Sequence, residues 1–376
     1  MSTALQRNSG AHRRHGALTQ RLWRTRLRVV ACTVLGAMLV TGCADEGVTT
    51  PTLEHSRQPS LRVSGGGATD LGTLGGASSR ALDINSRGQV VGQSQTSSGT
   101  EHAFLWQSGQ GMQDLGTLGG EMSVATGINT NGEVVGYSLT ASGQPHAFLW
   151  ESGRGMQDLG TLGGETSFAA GINGKGQVVG SSSLTSGFVH AFLWENGEGM
   201  QDLGTLGGLE SFASGINRTG QIVGSSVTTA GQDHSFLWQR GRGMEDLGPL
   251  DGGSSGADGI NTRGEVVGLL FSGLTSWREH AFLWRRGQGM QDLGDLGGGF
   301  SSASGINIKG QVVGISRTNL GDGHIERAFL WQSGQGMKDL GTLGGDNSGA
   351  AAINDKGQVV GESQTSSGDF HAVLWP

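Results

Sequence analysis

Six histidines recur at one position of a repeated five-residue word, and histidine is the side chain that most often binds a metal ion. The word is His-Ala-Phe-Leu-Trp in its first copy, and one of the seven copies has arginine in place of histidine. An aspartate follows six of the copies and could either join a metal site or accept a hydrogen bond. The first residues of the copies are His102, His146, His190, His234, His280, Arg327 and His371, and the aspartates are Asp114, Asp158, Asp202, Asp246, Asp292 and Asp339.

Geometry favours the hydrogen bond over the metal ion. Strands lie about 4.8 Å apart, so histidines on the third strands of neighbouring units would lie roughly 12–15 Å apart. The ligands of one ion lie within about 4 Å of each other. Arg327 can donate to Asp339 as a histidine would, but it cannot replace a metal ligand. We therefore predict a structural pair of this kind in each unit, with no metal site and no cofactor.

The loop 83–88 faintly resembles a calcium loop. Its Arg87 is basic, however, and most other repeats have glycine or alanine at the position of Asp83. A hard-cation loop needs several acidic oxygens, so we predict no metal ion there.

Two loops that are longer than their counterparts could bind a ligand. Residues 269–279 and 315–326 both lie between the second and third strand candidates of a repeat, so we expect them on the same face. Loops carry binding residues more often than the strands that support them. The alternative is neutral loop variation. The predicted binding patch consists of Phe271, Trp277, Arg278, Arg317, Asp322 and His324.

The elements that must position these side chains repeat along the chain. From Asp70 onward, the aspartates of the repeat are spaced by 44, 44, 44, 44, 46 and 47 residues, a period typical of a four-stranded propeller blade. Each repeat has four short runs of alternating or β-branched residues between glycine and asparagine turns. The sequence therefore predicts an all-β, seven-bladed β-propeller of four-stranded blades.

Single repeats illustrate the four predicted strands. Ser123–Asn129 alternates small and large apolar side chains and is placed innermost, and the Asn129 side chain is expected to cap the turn that follows. Glu133–Gly136 is the second strand. The repeated word, as in His146–Trp150, is the third, with its tryptophan packed between blades. Met112–Leu118 illustrates the fourth strand, and a Leu-Gly-Gly sequence then turns toward the next repeat.

The two ends of the repeat region are offset by one strand. The repeats begin inside a fourth strand, at residues 68–74, and end one residue after a third strand, at Pro376. If the ends meet, the N-terminal strand completes the last blade, closes the ring and hides the sheet edges. Deletion of residues 66–76 should then unfold the domain cooperatively.

Three sequence words recur in register over residues 68–376: His-Ala-Phe-Leu-Trp, Asp-Leu-Gly-Thr-Leu-Gly-Gly and Gly-Ile-Asn-x-x-Gly-x-Val-Val-Gly. In these words the chain resembles the bacterial extracellular HAF repeat family. The resemblance implies a secreted protein of undefined activity, and it supplies no catalytic residues.

The N-terminus has the pattern of an export signal. Four arginines precede an apolar run, Val29–Val40, that is shorter than the roughly 20 residues a membrane-spanning helix needs. The run ends in Val40-Thr41-Gly42-Cys43, which resembles a bacterial lipobox. We predict a lipoprotein signal peptide at 1–42, a lipidated Cys43 with a flexible tether at 43–66, and the propeller at 67–376. The alternative is an uncleaved anchor. We expect an exported protein held by its lipid at the outer membrane or cell surface.

Charge and cysteine content exclude some partners and crosslinks. Without the seven arginines of residues 1–42, 18 of the 25 basic residues remain against 32 acidic ones, a net charge of −14. Such a surface disfavours phosphate backbones, so we predict no nucleic-acid partner.

The two cysteines, Cys32 and Cys43, precede the repeats, so no disulfide framework can form within them. We expect a monomer.

We favour an extracytoplasmic binding module that takes a protein or glycan ligand through one loop face. Two alternatives stay open: a propeller enzyme that acts on extracellular glycan through acids around a central channel, and a passive envelope scaffold. The sequence has no nucleophile elbow, zinc-binding helix motif or phosphate loop, so we predict no catalytic residues.

Overall fold

The computed structural model describes residues 67–250, 252–272, 278–319 and 325–376. Within these ranges the protein consists of strands, turns and bends, without a helix. The same residues contain no helix that is long and apolar enough to span a membrane. The predicted signal peptide, Cys43 and the tether lie outside the described residues, as do Trp277, Asp322 and His324 of the predicted patch.

The strands follow the sequence repeats, and we number the repeats as units one to seven. A short strand, β1 (Thr69–Asp70), comes first. Units one to three contain β2 (Gly75–Ile84), β3 (Val90–Thr96), β4 (Glu101–Gln107), β5 (Gly111–Asp114), β6 (Gly119–Ile128), β7 (Val134–Thr140), β8 (Pro145–Glu151), β9 (Gly155–Asp158), β10 (Gly163–Ile172), β11 (Val178–Leu184), β12 (Val189–Glu195) and β13 (Gly199–Asp202). Units four and five contain β14 (Gly207–Ile216), β15 (Ile222–Thr228), β16 (Asp233–Gln239), β17 (Gly243–Asp246), β18 (Ser254–Ile260), β19 (Val266–Ser272), β20 (Arg278–Arg285) and β21 (Gly289–Asp292). Units six and seven contain β22 (Gly297–Ile306), β23 (Val312–Thr318), β24 (Glu326–Gln332), β25 (Gly336–Asp339), β26 (Gly344–Ile353), β27 (Val359–Thr365) and β28 (Phe370–Trp375).

The described strands form repeated antiparallel sheets of four, as predicted. In units one to four each sheet runs in chain order, for example β2-β3-β4-β5. Units five and six share one sheet, because Glu279 of β20 pairs with Phe300 of β22 in a parallel bridge. The sheet of unit seven has the order β1-β28-β27-β26, in which Asp70 pairs with Val373.

The fourth strands are shorter than predicted. In unit one the strand ends at Asp114 instead of continuing to Leu118. Asp114 Oδ1 accepts the backbone N–H of Gly116 at 2.8 Å, and the positive φ of Gly116 (76°) turns the chain out of the sheet. The Gly-Gly pair that we expected in a turn instead begins the first strand of the next unit, where Gly119 pairs with Thr140. The N-terminal strand is likewise two residues long rather than spanning 68–74.

A glycine in the second strand of each unit allows the first two strands to approach closely. A Cβ at Gly92 would lie 1.9 Å from the carbonyl oxygen of Arg80, a distance that no side chain tolerates. The repeated Val-Val-Gly word therefore records a packing requirement rather than a binding signature.

The hydrophobic core lies between consecutive units rather than within each one. Val91 and Leu105 of unit one pack with Val134, Phe148 and Trp150 of unit two, and equivalent clusters recur at the other junctions. The tryptophan of the repeated word lies in these clusters, as predicted. Each unit therefore buries its apolar faces only with the help of its neighbours.

Serine side chains fasten the third strand of one unit to the first strand of the next. Ser123 Oγ accepts the backbone N–H of Ala103 at 2.9 Å and donates to the carbonyl oxygen of Gly116 at 2.6 Å. The same pair of bonds joins unit seven to unit one, where Ser79 Oγ accepts from Ala372 at 2.8 Å. Because these serines are buried, the bonds satisfy groups that would otherwise be costly to remove from water.

Seven buried asparagines form a second set of links between units. Asn85 Oδ1 accepts the N–H groups of Arg87 and Gln89, which confirms the predicted turn cap, and its Nδ2 donates to the carbonyl oxygen of Asn129 at 3.0 Å. The five asparagines Asn129, Asn173, Asn217, Asn261 and Asn307 each donate to the next in the same way. The last, Asn354, donates to the carbonyl oxygen of Asn85 at 3.1 Å.

Candidate functional site

The histidines of the repeated word lie beside the aspartates of the fourth strands. Nδ1 of each of the six histidines is within hydrogen-bond distance of a carboxylate oxygen. The pairs are His102–Asp114 (2.8 Å), His146–Asp158 (2.7 Å), His190–Asp202 (2.8 Å), His234–Asp246 (2.9 Å), His280–Asp292 (2.8 Å) and His371–Asp70 (2.8 Å). In each pair Nδ1 of the imidazole therefore contacts an aspartate on the adjacent strand of the same sheet. Among the described residues no group of three histidine, cysteine or acidic side chains could hold a metal ion.

Arg327 departs from the expectation. Its Nε lies 3.9 Å from Asp339 Oδ2, which is an ion-pair contact but too long for a hydrogen bond. That Nε has no hydrogen-bond partner among the described residues. The Arg327 guanidinium therefore keeps an ion-pair contact with the aspartate, but its Nε does not form the hydrogen bond that a histidine forms at this position.

The described part of the predicted loop patch is organised around Phe300, a residue that the sequence did not single out. Phe271 pairs with Glu279 across β19 and β20, and Glu279 in turn pairs with Phe300 of the next unit. The Arg317 guanidinium lies 4.7 Å from the centre of the Phe300 ring, and its Nε lies 3.3 Å from Glu326 Oε1. Arg278 is the first residue of β20. Since Phe300 is buried, its ring packs against the neighbouring side chains and is not available for a ligand to stack on.

A polar cleft lies between units one and seven. We call it the Arg80 cleft; its volume is about 270 Å³, just below the range of roughly 300–1,000 Å³ usual for small-molecule pockets. The first three strands of unit one and the second and third strands of unit seven supply its walls. The side chains with useful chemistry are Arg80, Gln93, Gln95, Glu101, Glu362 and Phe370.

Arg80 and Glu362 face each other across the cleft. Nη2 of Arg80 lies 3.5 Å from Oε1 of Glu362, and the two side chains are 46% and 25% exposed. At that length and exposure the pair is loose, so the donors of Arg80 and the acceptors of Glu362 are accessible to a ligand. Glu101 accepts from Gln93 Nε2 at 3.1 Å through Oε2, which fixes its direction.

Other side chains around the cleft hold its frame. Gln95 Oε1 accepts the N–H of Ala77 at 3.0 Å and its Nε2 donates to the carbonyl oxygen of Gly99. Ser94 Oγ accepts from Leu74 at 2.8 Å. These bonds hold β2 and β3 in place and so fix this wall of the cleft.

At two other junctions the equivalent positions carry apolar packing instead. The counterparts of Glu362 and Arg80 between units two and three are Tyr137 and Phe168, whose rings meet edge to face with centroids 5.1 Å apart. Between units six and seven, Ile315 fills the space over Gly349 so closely that a Cβ there would lie 3.0 Å from its Cδ1. Of the seven pairs at these positions, Arg80 with Glu362 is the only one made of opposite charges.

The sequence contained a signal for this cleft that we did not use. Aligned on the buried serine of each first strand, the residue that follows is Arg80 in unit one. The other units have Val124, Phe168, Phe212, Gly256, Ser302 and Gly349. A lone arginine in unit one and a lone glutamate in unit seven, at positions that meet only if the chain ends meet, could have identified the pair.

No protein-family profile and no curated protein sequence matches the chain. Among solved structures, AofleA from Arthrobotrys oligospora is 13% identical over 72% of this chain and 88% of its own, with a TM-score of 0.44. A lectin from Burkholderia pseudomallei is 10% identical over 79% and 96%, with a TM-score of 0.48. A gluconolactonase from Xanthomonas campestris is 10% identical over 82% and 89%, with a TM-score of 0.39. At these values the likeness does not assign a function.

The sequence also gave no sign that two carboxyls on first strands, in units one and five, have raised pKa values. Burial raises the pKa of Asp83 to about 6, and desolvation by the surrounding protein atoms raises that of Asp258, whose side chain is exposed, to about 7. Asp83 accepts the backbone N–H groups of Ile84 at 2.8 Å and Ile128 at 2.9 Å, so both its oxygens are engaged. An acid and a base that share one substrate need free oxygens on both groups, and Asp83 does not offer them.

Proposed function

We propose that this protein is an exported, lipid-anchored member of the HAF repeat group. In this proposal its seven units form a closed β-propeller that binds a single sugar residue of a glycan in the Arg80 cleft. The observation that carries the binding proposal is the Arg80–Glu362 pair, which lies in this cleft, whereas the equivalent pairs at the other junctions are uncharged.

Links between the first and last units support the closed ring. Asn354 donates to Asn85 and Ala372 donates to Ser79, as the equivalent residues do at the other junctions. Leu71, at the N-terminal end of the repeats, packs with Val360 and Ala372 of unit seven. A chain whose ends are joined by the same bonds as its interior needs no capping repeats.

The mixture of charges in the cleft favours a neutral polyhydroxyl ligand. Glu101 and Glu362 repel a phosphate or carboxylate, and Arg80 repels a cation. A sugar ring can accept hydrogen bonds from the guanidinium and donate hydroxyl hydrogens to the carboxylates at the same time. Phe370, half-buried at the wall, offers an apolar surface for the C–H face of the ring.

The proposed export and lipid anchoring rest on the amino-acid sequence alone. The run Val40–Cys43 after a basic and then an apolar segment supports lipidation of Cys43. Growth of an expressing bacterium with an alkyne fatty acid, followed by click detection, tests it: the wild type should be labelled and Cys43→Ser should not.

A glycan array followed by calorimetry tests the binding proposal. We expect the wild type to retain a defined set of glycans and to bind their terminal monosaccharide. A hydrogen bond to a charged group contributes about 1.5–3 kcal/mol, so Arg80→Ala should weaken binding roughly 10- to 100-fold. Glu362→Gln, which keeps the shape of the side chain, should weaken it in the same direction.

The matched control is Arg87→Ala, which removes an exposed arginine from the turn after β2. It should bind like the wild type, and all variants should keep the wild-type melting temperature within a few degrees. Retention of every glycan by Arg80→Ala with unchanged affinity would place the site elsewhere. The absence of any retained glycan with the wild type would remove the proposal.

A further inference from the structure

The first strands of units four, five and six present three polar side chains whose hydrogen-bonding capacity is unused. The residues are Ser214, Asp258 and Ser304, at the same position of β14, β18 and β22. Each is the extra residue of a β-bulge, for the pairing register shifts between Ala257 and Gly259 and equivalently in the other two strands. A bulge turns its extra residue away from the regular ladder and re-aims its side chain.

The three bulges lie side by side because a glycine follows each of them. A Cβ at Gly215 would lie 3.3 Å from the carbonyl oxygen of Asp258, and one at Gly259 would lie 3.1 Å from that of Ser304. The backbones of the three strands are therefore in contact at this level, with Asp258 on the middle strand and Ser214 and Ser304 at the same position of the strands on either side.

None of the three side chains has a hydrogen-bond partner among the described residues, although all three are accessible to water. Asp258 is exposed and the two serines are half-buried. The fourth polar residue at this position behaves differently, since Thr126 Oγ1 donates to the carbonyl oxygen of Ala169 at 2.9 Å. The remaining units have the apolar side chains Leu82, Ala170 and Ala351 there.

Other charges do not explain the environment of Asp258. The neighbouring strands β14 and β16 carry Glu210, Asp233 and His234, whereas β15, β19 and β22 carry no titratable side chain. Desolvation by the surrounding protein atoms is the sole cause that raises the pKa of Asp258 to about 7, although its side chain is exposed to the solvent. The carboxylate is thus reached by water but poorly solvated, and a cation with its own hydrogen-bond donors would relieve that cost.

We propose that Ser214, Asp258 and Ser304 bind the primary ammonium group of a slender ligand, such as an alkylamine or a lysine side chain. A primary ammonium has three N–H donors, and the three neighbouring strands supply one carboxylate and two hydroxyl acceptors at the same level. A calcium ion takes six to eight oxygens, more than these side chains provide. This site lies in units four to six and goes beyond the proposed glycan site, which lies between units one and seven.

Calorimetric titration of the whole protein with n-butylamine tests the proposal, with tetramethylammonium as the matched probe. Tetramethylammonium has the same charge but no N–H donor. We expect saturable binding of n-butylamine that is at least tenfold tighter than that of tetramethylammonium. It should be lost near pH 5, where Asp258 is protonated. Equal affinity for the two cations would reduce the site to diffuse attraction and overturn the proposal.

Variants separate this site from the glycan site. Asp258→Asn, and the double variant Ser214→Ala with Ser304→Ala, should each weaken n-butylamine at least tenfold. Glu210→Gln removes a nearby acid outside the set and should bind like the wild type, as should Arg80→Ala. If folded Asp258→Asn binds n-butylamine as tightly as the wild type, the ammonium site is wrong, whatever the result of the glycan experiment. Loss of glycan binding in Arg80→Ala bears only on the cleft.

Discussion

Nδ1 of His371 lies 2.8 Å from Oδ2 of Asp70, a residue 301 positions earlier in the chain. The other histidines of the repeated word reach an aspartate twelve residues later in their own unit. The pair His371–Asp70 thus gives unit seven the contact that its own sequence does not supply, and it does so through the two-residue strand β1.

The first prediction concerns the pH dependence of this pair. Burial acts to raise the pKa of Asp70, but hydrogen bonds from His371 and Gly72 outweigh it and the pKa is lowered. The hydrogen bond with Asp70 raises the pKa of His371 above its ordinary 6.5. Stability from His371 is therefore complete below about pH 6.5 and is lost as the pH rises through its folded pKa. Stability from Asp70 is present above about pH 3.8 and is lost as the pH falls through its lowered pKa.

Urea unfolding at about pH 5.5 and about pH 8.5 measures the effect. The wild type should lose more stability between the two than His371→Asn, by about 1 kcal/mol or less because the pair is partly exposed. The same loss in both proteins would mean that the pair does not link stability to pH.

The second prediction compares two buried leucines at the same position of the repeat. Leu71 is 6% exposed and packs between units seven and one, while Leu115 is 7% exposed and packs between units one and two. Buried Leu→Ala changes cost about 2–5 kcal/mol. If the ring is closed, Leu71→Ala and Leu115→Ala should destabilise equally in one cooperative transition. A much smaller cost for Leu71→Ala, with fraying confined to the N-terminus in hydrogen exchange, would favour an open array.

The arrangement of strands could be predicted from the sequence because the residues that it depends on recur in every repeat. The turn asparagines, the Val-Val-Gly strands and the buried tryptophans each recur at one spacing, so the number and order of strands in a unit could be predicted. Strand ends could not, because they depend on single bonds such as that from Gly116 to Asp114, and on the positive φ of glycines. Those features are local and do not change the pattern of apolar residues.

The candidate site was harder to predict than the frame because its residues come from distant parts of the chain. Arg80 and Glu362 are 282 positions apart, and each alone looks like an ordinary surface charge. Asp258 is one acid among small residues, and only the neighbouring strands make it poorly solvated. The loop patch, by contrast, was chosen for irregular length. Of its members, Arg317 lies against the Phe300 ring, and Phe271 is linked to Phe300 through Glu279.

The third prediction concerns Asp83, which occupies a position where units two to six have glycine. Burial raises its pKa to about 6 despite two backbone hydrogen bonds. The wild type therefore loses stability as the pH rises from 3.8 to about 6, because the unfolded chain ionises in that range while the folded carboxyl stays protonated, and the loss is complete above about 6. Asp83→Gly should gain stability relative to the wild type between about pH 4 and about pH 7. Calorimetric melting across that range measures it, and Glu121→Gln, an exposed acid, should give a flat difference.

The fourth prediction concerns the asparagine links. Asn217 is 4% exposed; its Oδ1 accepts from Thr219 and Gln221, and its Nδ2 donates to the carbonyl oxygen of Asn261 at 3.0 Å. Asn217→Ala leaves several buried groups unpaired, each worth about 1–3 kcal/mol, and should destabilise the protein by roughly 2–4 kcal/mol.

Asn217→Asp separates the two roles of this side chain. It keeps the acceptor that caps the turn but cannot donate to Asn261, and its charge faces that carbonyl oxygen. Hydrogen exchange should therefore show protected turn amides at Thr219 and Gln221 together with faster global opening. Asn131→Ala, which removes an exposed side chain with one long contact of 3.4 Å, should leave both unchanged. If Asn217→Asp were as stable as the wild type, the links between asparagines would not hold the units together, and the apolar clusters alone would have to do so.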